Sequence, residues 1–430
     1  MIEFLKTFDH YLSRANILLM CLLLYIYIII MKCPDTNLDD LFCFPYRPNI
    51  TGMEWWYKFP HLQMYTIVTR EPDSSLNFTK ITKMPFLYKQ FIPVNFTTQS
   101  IVHITLMENV FCQRNMLIKN DTVIRLHSYK STNHIFPIRE TSKVVDELVY
   151  CVHFWDNYGH NIHDFLCAMM FVPQEIKDKG IRVLNPKHFS EITLDIARYL
   201  GLKINYVYTK PSDQVFAKKI WIINTLEQSH GLTSGGIERI RAIVFEKEEY
   251  KKIKPERYVV ANRIVGSNRF IDNADELVRV LNIKTNLERG ARWIRDDKFY
   301  DVPIMEIIKY WMSLKVIVTV QGSNIYNGIF MHEKTGMVLL FSNRIDLPNM
   351  QFCTHLHVFM IGVIHPGRHF NCGSPQPTNY TDMVNYTQRV VDAVCNGAWT
   401  SLEGLTDFLQ PSYPVTNITY FILNYTRVWY

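Results

Sequence analysis

The 430-residue sequence predicts an α/β protein built from two Rossmann-like lobes that face a cleft, preceded by an N-terminal transmembrane helix. Three observations support this prediction. Short apolar strand segments alternate with helical segments in two consecutive series, residues 101–250 and residues 251–370. Hydrophobic residues make up 48% of the chain and aromatic residues 13%, which is typical of a packed core and excludes a largely disordered protein. One uncharged apolar segment lies near the N-terminus.

The apolar segment, residues 15–31, predicts a signal-anchor helix that crosses a membrane once. Lys6 and Arg14 precede it, so residues 1–14 are expected to form a short cytoplasmic tail. A cleaved signal peptide is the alternative, but residues 32–37 contain no small-x-small cleavage pattern. We therefore expect a single-pass type II protein whose larger part is luminal.

The Asn-x-Ser/Thr glycosylation acceptors agree with a luminal chain and divide it further. Eight of them follow the apolar segment, four before residue 121 and four after residue 378. The stretch between them is interpreted as a compact core with little room for glycans. The proline-rich residues 32–100 are predicted to form a stem and lead-in, and residues 371–430 a peripheral C-terminal segment. The acceptors are Asn49, Asn77, Asn95, Asn120, Asn379, Asn385, Asn417 and Asn424.

The first lobe, residues 101–250, is predicted to hold buried strands joined by amphipathic helices. Apolar runs bounded by turn residues mark the strands, and apolar residues three and four positions apart mark the helices. Because helices separate the strands, neighbouring strands are expected to be parallel. The predicted strands are residues 147–155, 181–186, 204–208 and 219–224, and the predicted helices are residues 188–202 and 235–250, with a further helix from His160 onward.

The second lobe, residues 251–370, repeats the alternation of strands and helices. Asp272 is predicted to cap one of its helices, because a short acceptor side chain directly before an apolar helical pattern is typical of an N-cap. A further helix is expected within residues 388–409. The predicted strands are residues 257–263, 316–322 and 337–342, and the predicted helices are residues 273–282 and 303–314.

Two polar stretches follow strands of the second lobe. Arg263 ends the first strand, Arg269 lies in the loop behind it, and Asn273 begins the next helix. Ligands of α/β folds bind at the carboxyl ends of parallel strands, and guanidinium groups beside a helix N-terminus suit a diphosphate. The alternative is that both arginines are solvated loop charges. The second stretch, in which a glycine allows close approach of a ligand to the backbone, consists of Gln321, Gly322, Ser323 and Asn324.

His160, His163 and Asp164 lie close together in the otherwise apolar residues 157–166. In a helix, His160 and Asp164 share one face as residues i and i+4, and His163 lies beside them. An active-site wall and a buried structural network are both open interpretations. A metal site is disfavoured, because two histidines three residues apart with a carboxylate match no common zinc spacing.

The three stretches together resemble the pattern of the family 61 glycosyltransferases over roughly residues 145–345. The resemblance implies a GT-B-like fold and inverting transfer of a sugar from a nucleotide sugar, UDP-linked, without a bound metal or other cofactor. The sequence also contains no Asp-x-Asp pair, with which metal-dependent glycosyltransferases bind a diphosphate through a divalent ion. The residues that carry the resemblance are Asn157, His160, His163, Asp164, Leu166, Arg263, Arg269, Asn273, Glu276, Leu277 and Gly322.

An inverting transferase needs a base near the acceptor hydroxyl, and His160, His163 and Asp164 are the candidates for this catalytic role. The donor-binding role is assigned to the arginine stretch and the glycine stretch, that is, to Arg263, Arg269, Asn273, Gln321, Gly322, Ser323 and Asn324. The expected partners are a nucleotide sugar, a glycan or glycoprotein acceptor, and the Golgi or endoplasmic reticulum membrane. Nucleic acid is not an expected partner, because the net charge is only +6 and no long run of like charges occurs.

The chain departs from the family pattern in two places. Gln321-Gly322-Ser323 stands where the family usually has His-Gly-Ala, and residues 339–341 lack the glutamate usually found at the end of the next strand. The alternative function is therefore a catalytically inactive, membrane-anchored glycan-binding or scaffold protein with the same fold.

Overall fold

The computed structural model describes residues between 63 and 407, with gaps. The predicted cytoplasmic tail, the signal-anchor helix and most of the stem lie outside the described residues. Within the described residues, no helix is both long enough and apolar enough to cross a membrane. The described residues are 63–70, 79–82, 99–113, 116–119, 122–125, 143–151, 158–185, 191–208, 215–225, 234–263, 269–297, 302–341, 349, 352–353, 355–364 and 380–407.

The seven predicted strands are present among the described residues as β6, β7, β8, β9, β10, β12 and β13, with ends displaced by a few residues, and the other eight strands were not predicted. They are β1 Gln63–Arg70, β2 Thr79–Thr82, β3 Gln99–Gln113, β4 Met116–Lys119, β5 Thr122–Arg125, β6 Lys143–Cys151, β7 Ile181–Asn185, β8 Ile204–Tyr208, β9 Val215–Thr225, β10 Arg257–Val260, β11 Trp293–Arg295, β12 Leu314–Val320, β13 Gly336–Phe341, β14 Phe359–Ile364 and β15 Leu405–Asp407.

The helices include one of mixed type, α1, which covers residues 158–169. Its ends, Tyr158–His160 and Cys167–Met169, are α-helical, and Asn161–Leu166 between them forms a π-helix. The others are α2 Gln174–Lys179, α3 Glu191–Tyr199, α4 Ser234–Phe245, α5 Glu248–Lys251, α6 Ala274–Lys284, α7 Ile304–Met312, a 3-10 helix Ser323–Phe330, and α8 Tyr380–Asn396.

The chain divides into two compact units, and all of the predicted site residues belong to the second. In the first unit, the end of β3 pairs antiparallel with β4, and β4 with β5. The rings of Phe111 and Phe216 pack there with centroids 4.8 Å apart. The first unit consists of Met1–Trp55, Val110–Val144 and Thr209–Phe216, and the second of Trp56–Asn109, Val145–Tyr208 and Ala217–Tyr430.

In the second unit, β3, β9, β6, β7 and β8 are neighbours in that order in one sheet. β7 pairs parallel with both β6 and β8. α1 and α4 pack closely together, because a Cβ on Gly236 would lie 2.5 Å from the carbonyl oxygen of Cys167. A glycine at position 236 therefore permits the close contact of these two helices.

The other sheet has the order β11-β10-β12-β13-β14-β2-β15. β10 to β14 are all parallel to their neighbours. If these five strands are numbered 1 to 5 along the chain, they lie side by side in the sheet in the order 2-1-3-4-5. The winding direction therefore reverses between β10 and β12, which is where doubly wound sheets bind ligands. The predicted α/β class with parallel sheets is confirmed. The lobe boundary at residue 250 remains a prediction.

Successive side chains of a strand point to opposite faces of the sheet. In β10, β12 and β13 the residues of both faces belong to clusters of buried residues, so these strands are covered on both sides. Val259, Ile317 and Leu339 belong to one cluster of buried residues, with the 3-10 helix and α7. The opposite cluster includes α6 and α8. The helix predicted within residues 388–409 corresponds to the second half of α8. α8 packs closely on β13, because Cγ1 of Val390 lies 2.5 Å from the position that a Cβ on Gly336 would take.

One local prediction needs correction. Asp272 is not the N-cap of α6, because Asn273 holds that position in the left-handed conformation, with φ 54° and ψ 50°. The apolar segment after Gly322 forms a 3-10 helix. Residues 325–330 are all buried, so packing on every side, rather than one apolar face, determines the shape of this segment.

Candidate active site

A cleft of about 510 Å³ opens at the carboxyl ends of β10 and β12, where the winding of the sheet reverses. Its volume is in the range of small-molecule sites, roughly 300–1,000 Å³. One wall comes from the second series of strands, and the other from the start of α1 and from α3. The lining residues are Tyr158, Glu191, Ile192, Asp195, Arg263, Val302, Ile304, Thr319, Val320, Gln321, Gly322, Ser323, Asn324 and Asn327.

Gly322 is the point where two arginine side chains meet the backbone. Its φ is +145°, a conformation that favours glycine. A Cβ there would lie 3.2 Å from Nη1 of Arg263 and 3.9 Å from Cζ of Arg269. The Gly322 N–H donates to Oδ1 of Asn349 at 2.7 Å. The absence of a side chain thus lets two guanidinium groups approach one peptide.

The amide of Asn262 brings the two arginines together by closing the loop between them. Its Oδ1 accepts the N–H of Arg263 at 2.9 Å and the N–H of Ile271 at 2.7 Å. Its Nδ2 donates to the carbonyl of Ile271 at 2.8 Å. Asn262 is buried, and its own N–H donates to Oδ1 of Asp297 at 2.8 Å. Both ends of the loop are therefore fixed by one side chain.

Arg263 differs from Arg257 and Arg295 in that no described carboxylate pairs with its guanidinium group. Arg257 pairs with Asp296 at 2.5 Å, and Arg295 pairs with Asp297 at 2.8 Å. Arg263 forms no salt bridge with any described residue, and its buried Nη1 has no hydrogen-bond partner among them. A buried cationic donor without a partner indicates that an anion from outside the chain completes the site.

The loop also holds two residues in left-handed backbone conformations, Arg269 at φ 61° and Asn273 at φ 54°. Such conformations cost about 1–3 kcal/mol each for residues other than glycine and are concentrated at functional sites. The side chain of Asn273 makes no capping hydrogen bond to the described N-terminus of α6. Neither residue lines the cleft itself.

His160, His163 and Asp164 form one hydrogen-bonded network on the π-helical turn of α1, a helix form that is frequent at functional sites. Nδ1 of His160 lies 2.6 Å from Oδ2 of Asp164, and Nδ1 of His163 lies 2.8 Å from Oδ1. His163 and Asp164 are each 1% exposed, whereas His160 is 15% exposed. The predicted i, i+4 contact is thus present, and Asp164 bridges both imidazoles.

Burial acts to raise the pKa of Asp164, but the charges and hydrogen bonds of His163 and His160 outweigh it and hold the pKa below its usual range. Asp164 is therefore a carboxylate at neutral pH. An ionised carboxylate on Nδ1 of His160 favours the imidazole tautomer in which Nδ1 carries the proton and Nε2 carries the lone pair.

The network lies directly behind the wall of the cleft. The ring of His163 stacks on Tyr326 with centroids 4.6 Å apart and planes 19° apart. A Cβ on Gly159 would lie 2.6 Å from the Tyr326 ring, so α1 and the 3-10 helix are in close contact. Next to this contact, the Tyr158 hydroxyl donates to Oδ1 of Asn327, and both residues line the cleft. Burial raises the pKa of Tyr158, which keeps its hydroxyl protonated.

The network also contains the donor types of a metal site, and its three nearest donor atoms lie within 4.8 Å of one another. Yet both Nδ1 atoms are at hydrogen-bond distance from the Asp164 oxygens, 2.6 and 2.8 Å. Ligands around a zinc ion bind it at about 2.0–2.2 Å and stand more than 3 Å apart. The three residues therefore fit a hydrogen-bonded network better than a metal site.

The structure brings five of the predicted donor-binding residues to the cleft: Arg263, Gln321, Gly322, Ser323 and Asn324. Arg269 lies beside Gly322 without lining the cleft, and Asn273 lies at the start of α6. His160, His163 and Asp164 are brought together, but none of them lines the cleft.

Several residues of the site were not predicted from the sequence. The signal for Asn262 was present, because an asparagine directly after a buried strand often bonds to nearby backbone. Asn349 and Asn327 gave no such signal, since their partners lie 27 and 169 residues away. Glu191 and Asp195 of α3 line the cleft as carboxylates, and both pair with Arg198.

Comparison with protein families matches residues 158–338 to the family described as Glycosyltransferase 61. The matched segment contains the histidine–aspartate network, Arg263 and Gly322, and the match supports a family 61 glycosyltransferase. Such an activity implies a nucleotide sugar and a glycan acceptor as substrates. A comparison with curated proteins gave no match.

Proposed function

We propose that this protein is a GT-B-like, inverting, metal-independent glycosyltransferase that uses a UDP-linked sugar. The observation on which the proposal rests is Arg263, whose buried Nη1 has no partner among the described residues and lies at the Gly322 backbone in the cleft. A diphosphate is the anion that suits this position, because Arg263 and Arg269 offer paired donors at the carboxyl end of β10.

Transfer releases a nucleoside diphosphate, so negative charge develops on the leaving oxygen. Arg263 and Arg269 stabilise that charge as fixed donors, and the start of the 3-10 helix at Ser323 adds the positive end of its peptide dipoles. A leaving group neutralised in this way needs no divalent ion.

His160 is the proposed general base. Its Nδ1 is bonded to the Asp164 carboxylate, which favours the tautomer whose Nε2 lone pair can accept the proton of the acceptor hydroxyl. His160 is the most exposed member of the network, and it is two residues from Tyr158, which lines the cleft. Asp164 orients His160, and the buried His163 supports the wall through its stacking on Tyr326.

The acceptor is proposed to be a glycan or glycoprotein of the secretory pathway. The apolar residues 15–31 and the eight glycosylation acceptors support a type II protein of the Golgi or endoplasmic reticulum membrane, with its catalytic part in the lumen. The spacing of His160, His163 and Asp164 resembles that of the protein O-linked mannose β-1,4-N-acetylglucosaminyltransferases of family 61, which favours a protein-linked acceptor.

A catalytically inactive glycan-binding or scaffold protein is the second candidate. It is favoured by Gln321, which replaces the usual histidine of the family and is buried, and by the apolar residues 339–341 in place of the usual glutamate. These changes leave Arg263 and Gly322 in place, so such a protein would still bind a nucleotide.

Donor hydrolysis and transfer assays separate these functions. The luminal part of the chain is incubated with a panel of UDP-, GDP- and CMP-sugars, with and without EDTA, and the released nucleotide is measured. We expect turnover of a UDP-sugar that EDTA does not reduce. Nucleotide binding without turnover of any donor would favour the inactive binding protein. A strict manganese requirement would contradict the metal-independent mechanism.

A further inference from the structure

The side-chain amide of Asn349 uses only one of its two polar atoms. Its Oδ1 accepts the Gly322 N–H at 2.7 Å, and because a backbone N–H is always a donor, the atom facing it has to be the oxygen. This bond leaves Nδ2 as the free end of the amide. Asn349 is 0% exposed, and Nδ2 has no hydrogen-bond partner among the described residues.

A second buried donor without a partner lies at the same glycine. Nη1 of Arg263 is 3.2 Å from the Cβ position of Gly322. Buried polar atoms in folded proteins are nearly always hydrogen-bonded, so a single unpaired donor already requires an explanation. Two of them around one peptide indicate that a ligand supplies the acceptors. The ligand atoms that best match a cation and an amide donor are the oxygens of a phosphate or diphosphate.

We propose that Asn349 is a substrate-binding residue, whose Nδ2 donates to an oxygen of the donor diphosphate while its Oδ1 holds the Gly322 peptide in place. This assignment rests on the proposed function, and it extends the site beyond the matched residues 158–338. The amide performs both tasks only in one orientation, which the bond to Gly322 fixes. Asn349 therefore positions the diphosphate relative to Arg263 through a neutral amide donor, without adding charge.

The test uses calorimetric binding of UDP, uridine and inorganic pyrophosphate to the full luminal part of the chain. Asn349→Asp keeps an oxygen for Gly322 but replaces the donor with a negative charge. We expect about 10- to 100-fold weaker binding of UDP and pyrophosphate, as for the loss of a hydrogen bond to a charged group, and unchanged binding of uridine. Asn349→Ala and Asn349→Ser remove the donor without adding charge and are expected to lose about tenfold.

Asn282 provides a matched control. Its Oδ1 also accepts a backbone N–H, from Trp293 at 2.9 Å, but its Nδ2 is already bonded to the carbonyls of Val278 and Trp293 at 3.0 Å. Asn282→Asp should leave the affinities for UDP, uridine and pyrophosphate unchanged.

Each outcome is decisive for Asn349. If the three Asn349 variants bind UDP and pyrophosphate as the wild type does, or if all of them fail to fold or lose uridine equally, the residue has at most a structural role and the proposal is wrong. If the wild type binds pyrophosphate in an Asn349-dependent way but no nucleoside diphosphate, the oxyanion role stands and the proposed glycosyltransferase function fails. Wild-type protein that binds none of the probes contradicts both.

Discussion

Replacement of Arg263 by alanine is the most direct test of the donor site. In most proteins the loss of a buried arginine breaks ion pairs and destabilises the fold. Arg263 forms no salt bridge with a described residue, and its buried Nη1 has no partner among them. Its removal therefore leaves no orphaned carboxylate among the described residues, and a buried cationic donor is lost. We expect the melting temperature of Arg263→Ala to be unchanged or slightly raised.

Binding of the diphosphate should respond in the opposite direction. A charge-assisted hydrogen bond contributes about 1.5–3 kcal/mol, and a guanidinium with one or two such bonds to a diphosphate contributes roughly 2–4 kcal/mol. At about 1.36 kcal/mol per factor of ten, kcat/KM and the affinity for UDP should fall by about 30- to 1,000-fold. The affinity for uridine should not change, because uridine carries no phosphate.

Calorimetry with UDP and uridine, together with steady-state kinetics, measures both effects in one variant. Arg279→Ala is the matched control, because Arg279 is an exposed arginine of α6 that pairs with Glu276. A loss of UDP affinity in Arg263→Ala and not in Arg279→Ala supports the donor site. Unchanged binding of nucleoside diphosphates in both Arg263→Ala and Arg269→Ala would refute it.

The remaining predictions concern the glycine and the histidine–aspartate network. Gly322→Ala should lose about 1–3 kcal/mol of unfolding free energy, because φ is +145° there, and it should also bind UDP more weakly. The control is Gly290→Ala, which should lose stability alone, because φ is +84° there but no described atom lies within 4 Å of the Cβ position. Equal UDP affinity in the two variants would contradict the crowding at Arg263. His160→Gln should keep the melting temperature and lower kcat by about 100-fold or more, whereas a loss of about 1–3 kcal/mol of stability with normal kcat would show a structural network instead. Because the pKa of Asp164 is lowered in the fold, its contribution to stability is present above the usual carboxyl range, near pH 4, and is lost as the pH falls below it. The melting temperature of the wild type should therefore fall more steeply below about pH 4 than that of Asp164→Asn, and equal slopes would rule out this linkage.

The sequence determined the features of this protein that depend on neighbouring residues. Apolar runs such as residues 316–322 and 337–342 correspond to buried strands, because a strand covered on both faces has few polar positions. The position of Arg263 just after a strand predicted its place at the carboxyl edge of the sheet, and the spacing of His160 and Asp164 predicted their contact.

Only the tertiary structure decided which of these features meet. The strand order puts β12 beside β10, and this neighbourhood brings Gly322 to Arg263. The bond of Asn349 to Gly322 spans 27 residues, and the bond of Tyr158 to Asn327 spans 169. The structure also buried His163 and Asp164 and kept them out of the cleft lining, whereas the sequence had left an active-site wall and a buried network both open. Local periodicity specifies which face of an element is buried, but the partner that buries it is selected by packing of the whole chain.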